Sequence, residues 1–310
     1  MIDRICWMRV LLLVAGLWGS FSAVAEIYRW TDAQGKVHFS DKKNDQLNQS
    51  QVKIKAHKSN WKKIDIKIED VDRVLTPQEI ARIQGDVNNV YRFYDEVFFF
   101  DFYKTVPVNI RLESSKSNYD AYLQRTLNKQ IPSRGIYIQS KHQIALYLRK
   151  EDRNGTLETI KHETSHAIVH SIAANTPAWL NEGMAEQMEK IEVNDQGLYI
   201  VRGKENQYQV ARSQQILGLR EFLDLNSSEW RKTSAESNYV FQAQAGELVF
   251  FLLASQVDRT FISRILHEYK RGNRKRSLYL VEDNFVGGMV SMEIKWQRWL
   301  DSGGVSKIQF

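Results

Sequence analysis

Cysteine is almost absent from this chain: Cys6 stands alone among 310 residues. It lies in an N-terminal segment that reads as an export signal. Arg4 and Arg9 precede the apolar run Val10 to Trp18, and Ala23-Val24-Ala25 is a small-x-small cleavage pattern. Cleavage after Ala25 removes Cys6, so the mature chain from Glu26 has no thiol and no disulfide. Its stability must then come from a buried core, which ~285 residues supply readily. No cysteine follows the cleavage point, which argues against a lipoprotein anchor. The apolar run is too short for a comfortable membrane span, so no stable span is expected after processing. Internal repeats and low-complexity tracts are missing too. Segment 1–25 is read as a signal peptide and the product as periplasmic or secreted.

An excess of one charge is also lacking: 43 Lys and Arg face 37 Asp and Glu, for a net charge of +6. The basic residues cluster locally. Residues 42 to 67 are polar and lysine-rich, and 46–63 reads as a linker. A second cluster is Lys270, Arg271, Arg274, Lys275 and Arg276. An exported protein rarely meets nucleic acid, so none is expected as a partner. A solvated loop is the favoured reading over anionic lipid or polysaccharide.

What is present is His162-Glu163-Thr164-Ser165-His166. Two histidines four apart project from one helix face, one turn apart, and both imidazoles can reach one ion. Glu163 would lie beside that ion, placed to take a proton from a water whose pKa zinc lowers toward ~7. The surroundings predict the helix. Asn154-Gly155 breaks the chain, Thr156 is the expected N-cap, Glu158 suits the first turn, and Leu157 to Ile172 continues with apolar core positions. A lone histidine on a helix is usually an ordinary packing residue; the pair with its interposed acid is not. His170 continues the series but is rotated by about 80°, which suits packing or a place behind the ligands. Val169 and Ile172 stand where a metzincin needs glycine and a third histidine, which excludes that class.

After Pro177 comes Ala178-Trp179-Leu180-Asn181-Glu182-Gly183-Met184-Ala185-Glu186. A His-Glu-x-x-His helix followed by Trp-Leu-Asn-Glu-Gly-x-Ala resembles the gluzincin metallopeptidases, the peptidase MA-like group in particular. The resemblance spans roughly residues 64 to 301. It implies one Zn2+ per chain held by His162, His166 and Glu182. It also implies Glu186 hydrogen-bonded to one of the histidines from behind. Fifteen residues separate His166 from Glu182, a shorter gap than those relatives have. Counting alone chooses Glu186 as third ligand; motif identity chooses Glu182. Relatives often carry an oxyanion-binding tyrosine at the start of the middle helix. Direct alignment puts Gln242 there, with Tyr239 three residues earlier, so Tyr239 is a candidate donor and a candidate packing residue.

Ile27-Tyr28-Arg29-Trp30 and Lys36-Val37-His38-Phe39 alternate around Asp32-Ala33-Gln34-Gly35 and predict a β-hairpin, with 26–45 as a small N-terminal domain. Tyr-x-Trp-x-Asp-x-x-Gly-x-x-x-Phe-Ser-Asp resembles a small domain of unknown function found at the start of proteobacterial envelope proteins. That implies a Gram-negative envelope. It offers either an inert cap or a contact with an envelope partner.

Thr76-Pro77-Gln78-Glu79 is a capping box opening a helix toward Phe98, whose Tyr91, Phe93, Tyr94, Val97 and Phe98 read as core. Val106 to Leu112 reads as a strand, and Ile136–Ile138 and Ile144–Leu148 as two strands joined by a turn. Either Arg134–Tyr137 or the strand after it is the expected edge for holding an extended substrate. Beyond Glu186 the chain looks helical, and 302–310 reads as a tail. The expected fold is α+β: a hairpin domain, then a zincin-like domain at 64–301 with a small antiparallel sheet, a zinc helix and a helical C-terminal half. The expected function is hydrolysis of peptides or proteins by metal-activated water, with Glu163 as general base. The competing expectation is a non-catalytic zinc-binding envelope scaffold.

Overall fold

The computed structural model describes the strands Ile27–Thr31, Val37–Ser40 and Ser50–Val52, and then residues 63–100, 108–236 and 240–310. Residues 1–25, read above as a signal segment, and Tyr239 lie outside the described residues. The chain divides into two compact units, Met1–Lys58 and Ser59–Phe310.

In the first unit, β1 (Ile27–Thr31) pairs antiparallel with β2 (Val37–Ser40), in the register Thr31 to Val37. A third strand, β3 (Ser50–Val52), pairs antiparallel with the other edge of β1 and falls within the stretch read as linker. A third strand matters because a two-stranded hairpin is only marginally stable alone.

Among the described residues, the second unit is mixed α and β, mostly helical, with two small sheets. Its first sheet has the order β4-β5-β7-β6, from β4 (Lys67–Asp70), β5 (Asn109–Glu113), β6 (Gly135–Ile138) and β7 (Gln143–Tyr147). The expectation of an antiparallel sheet is corrected here. β4–β5 and β5–β7 are parallel, and only β6–β7 is antiparallel. The reason lies in the connections. A crossover helix, α1 (Pro77–Phe98), joins β4 to β5, whereas a single short turn joins β6 to β7. That turn ends on His142 in the left-handed region, at φ 47°.

β7 shows how the sheet is packed. Ile144 and Leu146 enter the main core, while Ala145 joins Tyr119, Tyr122 and Leu123 beneath α2 (Lys116–Leu127). Successive side chains on a strand face opposite ways, so this sheet is covered on both faces.

α1 opens with both halves of the capping box. Thr76 Oγ1 accepts from the Glu79 N–H at 3.2 Å, and Glu79 Oε2 accepts from the Thr76 N–H at 2.8 Å. Arg153 grips the same carboxylate with two bonds of 2.6 Å and holds its pKa at about 2. Its aromatic residues Tyr91, Phe93, Tyr94 and Phe98 are buried core.

The histidine helix, α3 (Arg153–Ile172), starts earlier than expected. Asp152, not Thr156, caps it, accepting from the Gly155 N–H at 2.9 Å. Gly155 is part of that cap and not a break, because a Cβ there would lie 2.1 Å from Asp152 Oδ2. α3 is buried on several sides. Tyr94 reaches Ser165 Oγ at 2.7 Å from α1, and α4 (Ala178–Glu189) packs alongside.

The chain after α4 is not purely helical, which corrects that reading. β8 (Ile191–Asn194) and β9 (Gly197–Val201) form a hairpin, and β10 (Lys307–Gln309) from the C-terminal stretch pairs with β9. The Asn194–Gly197 turn needs Gly197 at φ 117°. The remaining helices are α5 (Lys204–Arg212), α6 (Leu219–Asp224), α7 (Ser227–Glu236), α8 (Val240–Ala254), α9 (Gln256–Lys270), α10 (Leu278–Asn284) and α11 (Gly288–Ser302).

α8 is apolar almost all round, as a helix inside a core must be. Its buried Glu247 is neutralised by Arg202, just past β9, and accepts from Trp299 Nε1 of α11 at 2.7 Å. Among the described residues no single helix is long and apolar enough to cross a membrane.

Candidate metal centre

Three side chains predicted from the sequence come together. His162 Nε2 and His166 Nε2 stand 3.7 and 3.8 Å from Glu182 Oε2, and the two rings are 4.7 Å apart and nearly perpendicular. Nitrogen and oxygen ligands about 2.1 Å from a tetrahedral ion lie roughly 3.4 Å from one another. The observed spacing is close to that, so this group could hold a metal ion.

Local structure explains the meeting. Helical periodicity puts both imidazoles on one face of α3. Glu182 comes from α4, which lies close against α8 at Gly183. A Cβ at Gly183 would stand 2.5 Å from Val249 Cγ2 and 2.6 Å from the Ala245 carbonyl oxygen. We expect Gly183→Ala to push α4 off α8, costing about 1–3 kcal/mol by overpacking and displacing Glu182. Thermal melting and metal stoichiometry of that variant check it; an unchanged melting temperature with full metal uptake contradicts it.

Electrostatics match the geometry. Burial pushes the His162 imidazole down, but the carboxylates of Glu182 and Glu189 outweigh it and hold it well above its ordinary value. Burial pushes Glu182 up, but His166 and His162 bring it to about 2. The pocket thus favours a positive charge beside Glu182, which a cation can supply instead of an imidazolium.

Glu163 points into the same space. It is 7 % exposed, and burial raises its carboxyl pKa against the opposing pull of His166 and His162. The backbone of Tyr137 on β6 lowers it as well. Gly135 allows this approach, since a Cβ there would lie 2.7 Å from Thr159 Cγ2 and 3.4 Å from Glu163 Cγ. β6, and not β7, is the edge strand of the sheet. On an edge strand every second residue directs its backbone N–H and C=O outward, away from the sheet. A cleft of about 850 Å³ lies along this edge, lined by Arg134–Tyr137, the α3 face with both histidines, the α4 acids and Gln242.

Glu186 does not take the expected place behind a histidine. Glu189, one turn further along α4, accepts from His162 Nδ1 at 2.8 Å. Glu186 instead accepts from Asn206 Nδ2 at 3.0 Å, and burial together with Glu189 pushes its pKa up to about 7. Glu189 could have been found from spacing: Glu182 and Glu189 are two turns apart on one face. His162, Glu186 and Glu189 form a second possible metal group. The two groups compete, because a ring bound through Nε2 carries its proton on Nδ1 and points it at Glu189. His170 joins neither group; its ring lies 6.3 Å from that of Tyr137.

Residues 15–60 match a family model described as Domain of unknown function (DUF4124). The N-terminal resemblance therefore stands, although the match covers only a small part of the chain. No peptidase family model matches. No curated protein matches the chain significantly.

Proposed function

We propose that this chain is a periplasmic zinc metallopeptidase of the gluzincin type, with a peptidase MA-like, zincin-like domain over residues 64–301. The observation that carries this reading is the joint placement of His162, His166 and Glu182 with the buried Glu163 beside an open strand edge. Two imidazoles and one carboxylate are the donor set of catalytic zinc sites, which leave a position open. When bound, zinc polarises a water and the substrate carbonyl. The free edge of β6 holds an extended peptide by backbone hydrogen bonds, across the cleft from α4. Glu163 takes the proton of the attacking water and returns it to the leaving amine nitrogen as the C–N bond breaks. The export signal and the DUF4124 segment support a place in the Gram-negative envelope.

The test is to incubate the mature protein with a peptide library and sequence the cuts. We expect cleavage that stops when a chelator removes the metal and resumes when zinc is restored. One bound zinc per chain with no cleavage of any peptide would replace the enzyme with a zinc-binding scaffold.

A further inference from the structure

Gln242 sits in the first turn of α8, where its side chain lines the cleft. Its Nε2 lies 3.5 Å from Glu182 Oε2, the oxygen that also faces both imidazoles. Gln244, two residues on, shows the contrast. Its amide is committed to the Leu217 backbone, accepting at 3.2 Å and donating at 2.8 Å, which is a packing role.

Gln242 belongs instead to the α8 stripe that meets α4. Ala245 and Val249, three and seven residues on, face Gly183, and Gly246 lies against Glu186. The same close packing that brings α4 to α8 therefore brings the Gln242 amide to Glu182. A ligating carboxylate needs a donor to fix its orientation. An amide N–H suits that task because it neither titrates nor competes as an anion.

Resting on the zinc reading above, we propose that Gln242 is a positioning residue: its amide donates to Glu182 and holds one carboxylate oxygen toward His162 and His166.

The test compares zinc affinity, by chelator competition, in the full-length mature wild type, Gln242→Met and Gln242→Ala. Methionine keeps the side-chain length without the donor, and alanine removes both. We expect both variants to bind zinc about 10–100-fold more weakly, as for other groups that orient a ligand. The cobalt-loaded variants should also show a shifted visible spectrum, while their metal-free melting temperatures stay at the wild-type value. Affinity within twofold of wild type in Gln242→Met would overturn the proposal, and so would weakening confined to Gln242→Ala, which would mark a packing role. A wild type that takes up no zinc would overturn the metal reading itself.

Discussion

Glu163→Gln is expected to bind zinc as wild type does and to lose about 10²–10⁴-fold in kcat, the usual worth of a positioned general base. Glutamine matches glutamate in size, so it fits the space that Gly135 leaves beside it. What disappears is the ability to accept a proton from water and hand it to the amine. Glu163 belongs to neither group of side chains that could hold a metal, so metal content should not follow activity. Zinc stoichiometry and single-turnover cleavage, measured on one preparation, separate the two effects. Unchanged turnover in Glu163→Gln would sink the mechanism.

The second large effect distinguishes the three acids of α4. Glu182→Ala leaves only two imidazoles facing the ion position, and zinc should be lost on dialysis. Glu189→Ala should keep zinc with affinity weakened by about 10–100-fold, because His162 Nδ1 loses the acceptor that orients the ring. Glu186→Ala should weaken it less than Glu189→Ala, since the Glu186 carboxylate is bonded to Asn206 and not to a histidine. Metal kept in Glu182→Ala but lost in Glu186→Ala would show that residue counting was the better guide to the third ligand.

Much of the site was legible because it depends on local geometry. The residues between Thr76 and Glu79 can close a capping box without help from the rest of the chain, and they do. Periodicity alone puts His162 and His166 on one face. The start of α3 is not legible locally, because Gly155 looks like a break until the Asp152 side chain is seen occupying the space its missing Cβ leaves. β8 and β9 are harder to read, although Ile191 to Val201 alternates around an Asn-Asp-Gln-Gly turn. The pull of helical segments on either side hid a short hairpin.

The sequence by itself determined where the histidine helix lies, that its imidazoles share a face with an acid between them, and that the aromatic residues of α1 are core. Helix geometry sets these relations within one or two turns, whatever the chain does elsewhere. Only the tertiary structure decided which acid stands behind His162, that β6 is the edge along Glu163, and that Gln242 reaches Glu182. Those relations depend on how far apart two helices lie and how strands are connected. In this chain they are set by the absence of a side chain at Gly183 and Gly135 and by the α1 crossover that makes β4–β5 parallel. Such distances are fixed by packing between residues far apart in sequence, which no local pattern records.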